Sequence, residues 1–128
     1  MTRAELSEGL AAAARIRRNE LVALAEEIAQ DGGVEVIARP AAGSVMVELE
    51  SSVGAFCLTE VVVTTASVRI AERAGWGAVL GWDAEGALAS ALCDARADRG
   101  AFALARRALD DEAEQRVERM RAVATTKV

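Results

Sequence analysis

Apolar residues fall at helical spacing near both ends of the chain and alternate with polar ones through its middle. Over residues 3–30, Leu6, Leu10 and Ala13 form one stripe, and Leu21, Leu24, Ala25 and Ile28 form a second. Arg17, Arg18 and Asn19 interrupt them, so the pattern predicts two helices with a break near Asn19, placed to N-cap the second. Asp31-Gly32-Gly33 reads as the C-terminal stop. Val34–Arg39 and Val45–Glu50 alternate around Pro40-Ala41-Ala42-Gly43, a hairpin signal, and Ser51–Gly54 turns the chain again. A long strand follows over 58–70, and Gly75–Gly81 predicts a fourth strand. Asp83 is a good N-cap for a helix whose stripe is Ala84, Ala87, Leu88, Ala91, Leu92 and Ala95. The last helical region covers 101–124, with acids at 110–114 and arginines at 116–121, the order a helix dipole favours. There Ala113, Val117, Met120 and Ala124 make a narrow apolar stripe, enough to dock on something. Helices at both ends of a block of strands give an α+β fold: a mostly antiparallel sheet of about four strands, in a single domain over 1–128.

The long strand, LTEVVVTTASVRI, carries a misplaced charge. Successive strand side chains face opposite ways. Leu58, Glu60, Val62, Thr64, Ala66, Val68 and Ile70 share one face, and Arg69 lies on the other. Glu60 therefore sits on the greasier side. Either that end of the strand is solvated or ion-paired, or Glu60 is a positioned carboxylate that orients a ligand, a metal-bound water or a partner's side chain.

Composition narrows the chemistry. The chain has 128 residues, of which 52% are hydrophobic but only 3% aromatic, so the core must be aliphatic and rich in alanine. Small side chains bury little area each, which leaves room for a partner surface to contribute. The net charge of −5 lacks the basic patch that phosphate neutralisation requires, which sets nucleic acid aside. There is no histidine, which removes Ser-His-Asp and Cys-His catalysis and makes ordinary zinc sites improbable. Cys57 and Cys93, far apart and outside any CxxC spacing, read as core residues rather than a disulfide. The first residues lack the apolar core of a signal peptide and no run reaches membrane-spanning length, so no membrane is expected and the cytoplasm is.

Gly75, Gly77 and Gly81 are spaced GxGxxxG inside a strand-like run, which reads as strand-ending turns rather than a dinucleotide loop. Asp83 reads as a helix cap at a strand–helix junction, where sites often lie. Arg69 is balanced between a surface charge and an anion clamp. No pair of carboxylates has a spacing that argues for general acid–base work, so the chain looks like a subunit, with no catalytic residue assigned. Its alternative is a free-standing, self-associating small-molecule or anion-binding module using Arg69 and helix N-termini.

Taken together, LTEVVVTTASVRI, GWGAVLGWD and ALASALCDA resemble PhnG, a core subunit of the bacterial carbon–phosphorus lyase system. That family shows a Phe-x-x-Gly-(Glu/Asp)-x-x-x-Thr-Arg-x-x-Val-Arg strand followed by Gly-Arg-Asp. Phe56, Glu60, Thr64, Val68 and Arg69 match in register, and Gly81, Asp83, Ala87, Ala91, Leu92, Asp94 and Ala95 continue it. RPAAGSVMVELES resembles the family hairpin, and RMRAVATTKV its C-terminal text, which usually continues into an aromatic-rich tail. Thr59, Thr65, Trp82 and Gly86 depart from it, standing where Gly, Arg, Arg and often His are found. The resemblance implies a role in an assembly with PhnH-like, PhnI-like and PhnJ-like chains, as part of a homo- or hetero-oligomer. With a further PhnL-like protein, such complexes displace adenine from MgATP by an alkylphosphonate. The resemblance places MgATP as substrate of the assembled complex, with no cofactor or metal expected on this chain. Glu60, Thr64, Arg69 and Asp83 would then touch partner chains or hold the groups that do.

Overall fold

The computed structural model describes the backbone of residues 1–50 and 56–126, with side chains over 1–48 and 58–124. Within them the order is α1 (Arg3–Ile16), α2 (Arg18–Gln30), β1 (Val34–Glu50), β2 (Phe56–Ile70), β3 (Arg73–Leu80), α3 (Ala84–Arg96) and α4 (Arg99–Thr126). The expected α+β architecture holds, with helices at both ends, but the antiparallel sheet has three strands in the order β1-β2-β3.

The missing fourth strand is the hairpin read at Pro40–Gly43. The chain does not turn there, and β1 runs straight through as 17 residues. The 15-residue β2 serves as template for both halves, pairing Val34–Ala38 with Ser67–Ile70 and Ala41–Glu50 with Phe56–Thr65. Proline donates no backbone hydrogen bond, so inside a sheet it belongs on an edge or at a bulge. Pro40 has both: β1 is an edge strand, and the register shifts between Val36 and Ala38 and again between Ala38 and Ala41. The turn read at 51–54 lies outside the described residues. The real turn between β2 and β3 is Ala71-Glu72, with Ala71 at φ 55°, and no glycine or asparagine marks it.

At the N-terminus Thr2 forms a capping box with Glu5, each side chain accepting the other's backbone N–H. The break between α1 and α2 falls at Arg17 (φ −134°, ψ 42°), two residues before the expected place, and Asn19 caps nothing. Two neighbouring arginines reach to different elements there. Arg17 Nε donates to Asp111 on α4 at 2.6 Å, while Arg18 Nη2 donates to Asp83 before α3 at 2.7 Å. The backbone turns between them.

All helices lie on one side of the sheet. Gly75, Gly77 and Val79 of β3 and Thr64, Ala66 and Val68 of β2 face them and are buried. α3 lies directly on these two strands, with α1 and α2 beside it and α4 against α1. Gly75 and Gly77 are therefore contact positions rather than strand-ending turns, and only Gly81 (φ 78°) ends a strand. A Cβ at Gly75 would overlap the backbone of Ala91 and Ala95, and one at Gly77 the carbonyl of Ala87. Gly9 meets Ala105 in the same way where α1 crosses α4. The rest of the core is aliphatic: Leu6, Leu10, Leu21, Ile28 and Leu104 are its largest fully buried side chains.

Gly77→Ala is expected to cost about 1–3 kcal/mol of stability in urea denaturation, because a close-packed core absorbs even one methyl group poorly. Gly43→Ala, in the same sheet with nothing within 4 Å of the added carbon, should change stability by less than about 0.5 kcal/mol.

Candidate functional site

Two regions hold most of the residues singled out from the sequence: a junction at the end of β3 with Thr64 and Asp83, and the side of the sheet that carries no helix, with Arg69 at its end.

At the junction, Thr64 is fully buried in the middle of β2. Its hydroxyl donates to the Gly81 carbonyl at 2.5 Å and accepts the Asp83 N–H at 2.9 Å. The Gly81 N–H donates to the Val62 carbonyl at 2.7 Å, so the β3–α3 turn is fastened to β2 twice over. Asp83 caps α3 as expected, its Oδ1 accepting the Gly86 N–H at 2.9 Å. The same carboxylate takes both terminal nitrogens of Arg18, a two-pronged pair that holds the start of α2 against the start of α3. The Arg18 guanidinium, helped by the Gly86 N–H, holds the Asp83 carboxyl below its ordinary range and so opposes protonation. Gly86 makes this possible, because a Cβ there would overlap the Asp83 carboxylate and crowd Arg18.

A second carboxylate closes the edge of the sheet. Asp94 is buried on α3, and its Oδ2 accepts the Trp76 N–H at 2.9 Å and Arg3 Nη2 at 3.1 Å. Arg3 also donates to the Ala74 carbonyl at 2.8 Å. Two outward backbone groups of edge strand β3 are thus occupied by the chain's own side chains. Asp94 Oδ1 has no hydrogen-bond partner among the described residues. Arg18 and Arg3 were not legible as functional from the sequence. Asp94 entered the sequence reading only as a match to the resembled pattern; its place three and seven residues after Ala91 and Ala87 on a buried stripe is the signal that could have singled it out.

Glu60 and Arg69 do not join this junction. The helices cover β2 only from Thr64 onward, so Leu58, Glu60 and Val62 project past them and are exposed. Glu60 pairs across the strands with Met46, and among the described residues no cation lies within ion-pair distance of it. Its end of the strand is the solvated one. Arg69, on the opposite face, is paired with Glu35 at 3.6 Å.

That opposite face has no helix over it. Val45 and Val47 of β1, Val61 and Val63 of β2, and Trp76 and Leu80 of β3 lie on it in register. Trp76 is 53% and Leu80 56% exposed. From Ala41 to Val47, Thr59 to Ser67 and Ala74 to Leu80, no charged residue stands on this face, and the Glu35–Arg69 pair marks its end. On the other side of the projecting hairpin, Leu58 is 66% exposed. Monomeric proteins rarely leave a contiguous apolar surface open, and where they do it is commonly an interaction site.

The remaining candidates are closed. The cleft at the α1–α2 break is lined by Arg15, Arg17 and Arg18, but each guanidinium is already held by a carboxylate, from Glu112, Asp111 and Asp83 respectively. Cys93 is fully buried, and burial, with Asp98 and Asp94 nearby, pushes its thiol up to about 12, so it stays protonated and inert. The Cys57 side chain lies outside the described residues. Among the described residues no cluster of His, Cys, Asp and Glu is placed to hold a metal, and no helix is long and apolar enough to cross a membrane.

A family model described as phosphonate metabolism protein PhnG matches residues 2–128, essentially the whole chain. The chain belongs to the PhnG family. No individual curated protein matches it. Family membership places the chain in phosphonate metabolism, and it gives the residues that match the PhnG strand a physical reading. Thr64, Gly81 and Asp83 form the junction, and Asp94 closes the β3 edge. Where the PhnG pattern often has His, Gly86 leaves the space that the Arg18–Asp83 pair fills.

Because the Asp83 carboxyl titrates below its ordinary range in the folded state, its stabilisation is complete above that range and is lost as the pH falls through the folded value. Asp83→Asn should therefore be less stable than wild type near neutrality, and the gap should narrow between about pH 5 and pH 2 in thermal melts. In a Cys57→Ser background, Cys93 should resist thiol-labelling reagents in the folded protein and react fully once the protein is denatured.

Proposed function

We propose that this PhnG-family chain is a non-catalytic or accessory subunit of a carbon–phosphorus lyase complex, working in the cytoplasm. The complex transfers the ribosyl 5-triphosphate of MgATP to an alkylphosphonate and releases adenine, with PhnI-like, PhnH-like and PhnJ-like chains as partners. The nucleosidase-like chemistry belongs to the PhnI-like subunit, and this chain acts as a required scaffold beside it. The observation that carries the reading is the uncharged, apolar, uncovered side of the sheet. An area rich in valine with a half-exposed tryptophan on its β3 edge is suited to desolvation against another protein. Among the described residues, its polar side chains between Thr59 and Ser67 are the hydroxyls of Thr59, Thr65 and Ser67, with no carboxylate beside them on the face. Glu60 on the projecting hairpin and Arg69 at the end of the open face would orient partner groups at the rim of that contact, while Thr64 and Asp83 hold the strand and helix beneath it.

The anion-binding alternative has weaker support. Arg69 already has Glu35, the N-terminus of α1 is filled by Thr2, and that of α3 is filled by Asp83.

Co-expression with the neighbouring PhnI-like, PhnH-like and PhnJ-like chains, followed by size-exclusion chromatography, tests the proposal. Co-elution is expected, and failure to co-elute counts against it. Val61→Asp and Trp76→Ala should abolish or sharply weaken co-elution while leaving the far-ultraviolet dichroism of the chain unchanged. Glu60→Ala should weaken assembly by about tenfold at most, as rim charges do, with the melting temperature of the lone chain unaltered. Clear stabilisation of the lone chain by phosphonate, ATP or simple anions in a thermal-shift screen, without any partner, would favour the alternative.

A further inference from the structure

α4 is longer than the body it packs on. It runs parallel to α1, with Gly9 against Ala105, and the last ties between them are Arg15–Glu112 and Arg17–Asp111. α1 stops at Ile16, but α4 continues without a break to Thr126. Every described side chain from Ala113 to Ala124 is exposed, an arm of about 18 Å at 1.5 Å per residue. On one face of this arm Arg116, Arg119, Met120 and Val123 follow at i, i+3, i+4 and i+7, and Met120 is 67% exposed. The face is an apolar strip with two cations beside it, Arg116 paired with Glu112 at 3.7 Å and Arg119 with no carboxylate within ion-pair distance among the described residues.

The body carries the reciprocal feature. Between α2 and α3 lies an open groove of about 210 Å³. Val22 and Ala25 of α2 and Leu88 and Leu92 of α3 line it with apolar atoms; Glu26 stands at one rim, and Glu85, paired with Arg18 at 3.2 Å, at the other. The lining residues recur on both helices at the same i, i+3, i+4, i+7 spacing, the geometry in which two helices receive a third. Arm and groove are complementary in apolarity and in helical spacing, and Arg119 and Glu26, neither ion-paired among the described residues, are opposite in charge. Since α4 is one unbroken helix, its arm cannot turn back into the groove of its own chain.

We infer that the α4 arm of one copy docks into the α2–α3 groove of a second copy, reciprocally, so that two chains exchange arms. Arg119 faces Glu26 of the other copy, and Met120 and Val123 fill the apolar floor. This two-fold exchange contains both contacts in one dimer and leaves no open end. It uses the helical side of the molecule, away from the uncovered sheet face, so it stands or falls independently of the partner-docking role proposed above.

Light scattering coupled to size exclusion on the full chain is expected to give a dimer through the micromolar range. Met120→Asp in the arm and Leu88→Asp in the groove should each give a monomer with unchanged helical dichroism. Mixing the two variants should restore a one-to-one dimer, because one intact arm still meets one intact groove. Glu26→Lys and Arg119→Glu should each weaken the dimer by about tenfold, and the double variant should recover most of that loss. A wild-type chain that stays monomeric overturns the inference. So does a Leu88→Asp chain that still dimerises, since arms would then pair with arms. Protection of the arm only on adding a PhnI-like subunit would assign the groove or the arm to another chain and overturn it as well.

Discussion

The fold depends on how closely α3 lies on the sheet. Gly75 and Gly77 present bare backbone where Ala87, Ala91 and Ala95 come down on them, so that a Cβ at either position would meet helix backbone directly. In a chain with almost no aromatic core this proximity replaces bulk, since dispersion across many short contacts sums to what a few large side chains would otherwise supply. It also sets the register of everything else. With α3 held at that height, Asp94 meets the Trp76 N–H, and Asp83 reaches Thr64 on one side and Arg18 on the other. Gly9 over Ala105 repeats the device where α1 carries α4.

The same constraint divides the molecule into a closed half and an open half. α3 is 13 residues long, and the helical layer covers β2 only from Thr64 to Ile70. β1 and β2 are longer than that layer, so their far ends project as a two-stranded hairpin with valine, methionine and leucine in the open. Their other face carries no helix along its described residues. The carboxylate that looks misplaced in the sequence follows from this geometry: the pattern along β2 is uniform, but the cover is not, and Glu60 lies beyond its limit.

Much of this was legible in the sequence. The two N-terminal helices, the Gly32–Gly33 stop, the long strand at 58–70 and the Asp83 cap all follow from local signals, and the structure has them. The failures have specific causes. Pro40-Ala41-Ala42-Gly43 carries turn chemistry, but a long central partner strand and an edge position that tolerates a bulge outweighed it. Ala71 turns the chain at positive φ without a residue that announces it. The break at Arg17 depends on two carboxylates, Asp83 and Asp111, distant in sequence, which no local window contains. Of the four site residues, Thr64 and Asp83 come together and engage groups within the chain, whereas Glu60 and Arg69 stand apart on opposite faces of β2. Parity along the strand gave the opposite faces, but the length of the helical cover could not be read from β2 alone.

Family membership and geometry point the same way: a PhnG-family chain with a closed, self-satisfied half and an open apolar half suits work against other proteins. Hydrogen–deuterium exchange of the chain, alone and in the presence of the PhnI-like, PhnH-like and PhnJ-like subunits, tests this division most directly. The account predicts new protection over 41–48, 59–63 and 74–82, with the amides of α3 already slow and unchanged. Exchange through those strand segments that is identical with and without the other subunits, in a complex shown to have formed, would contradict it.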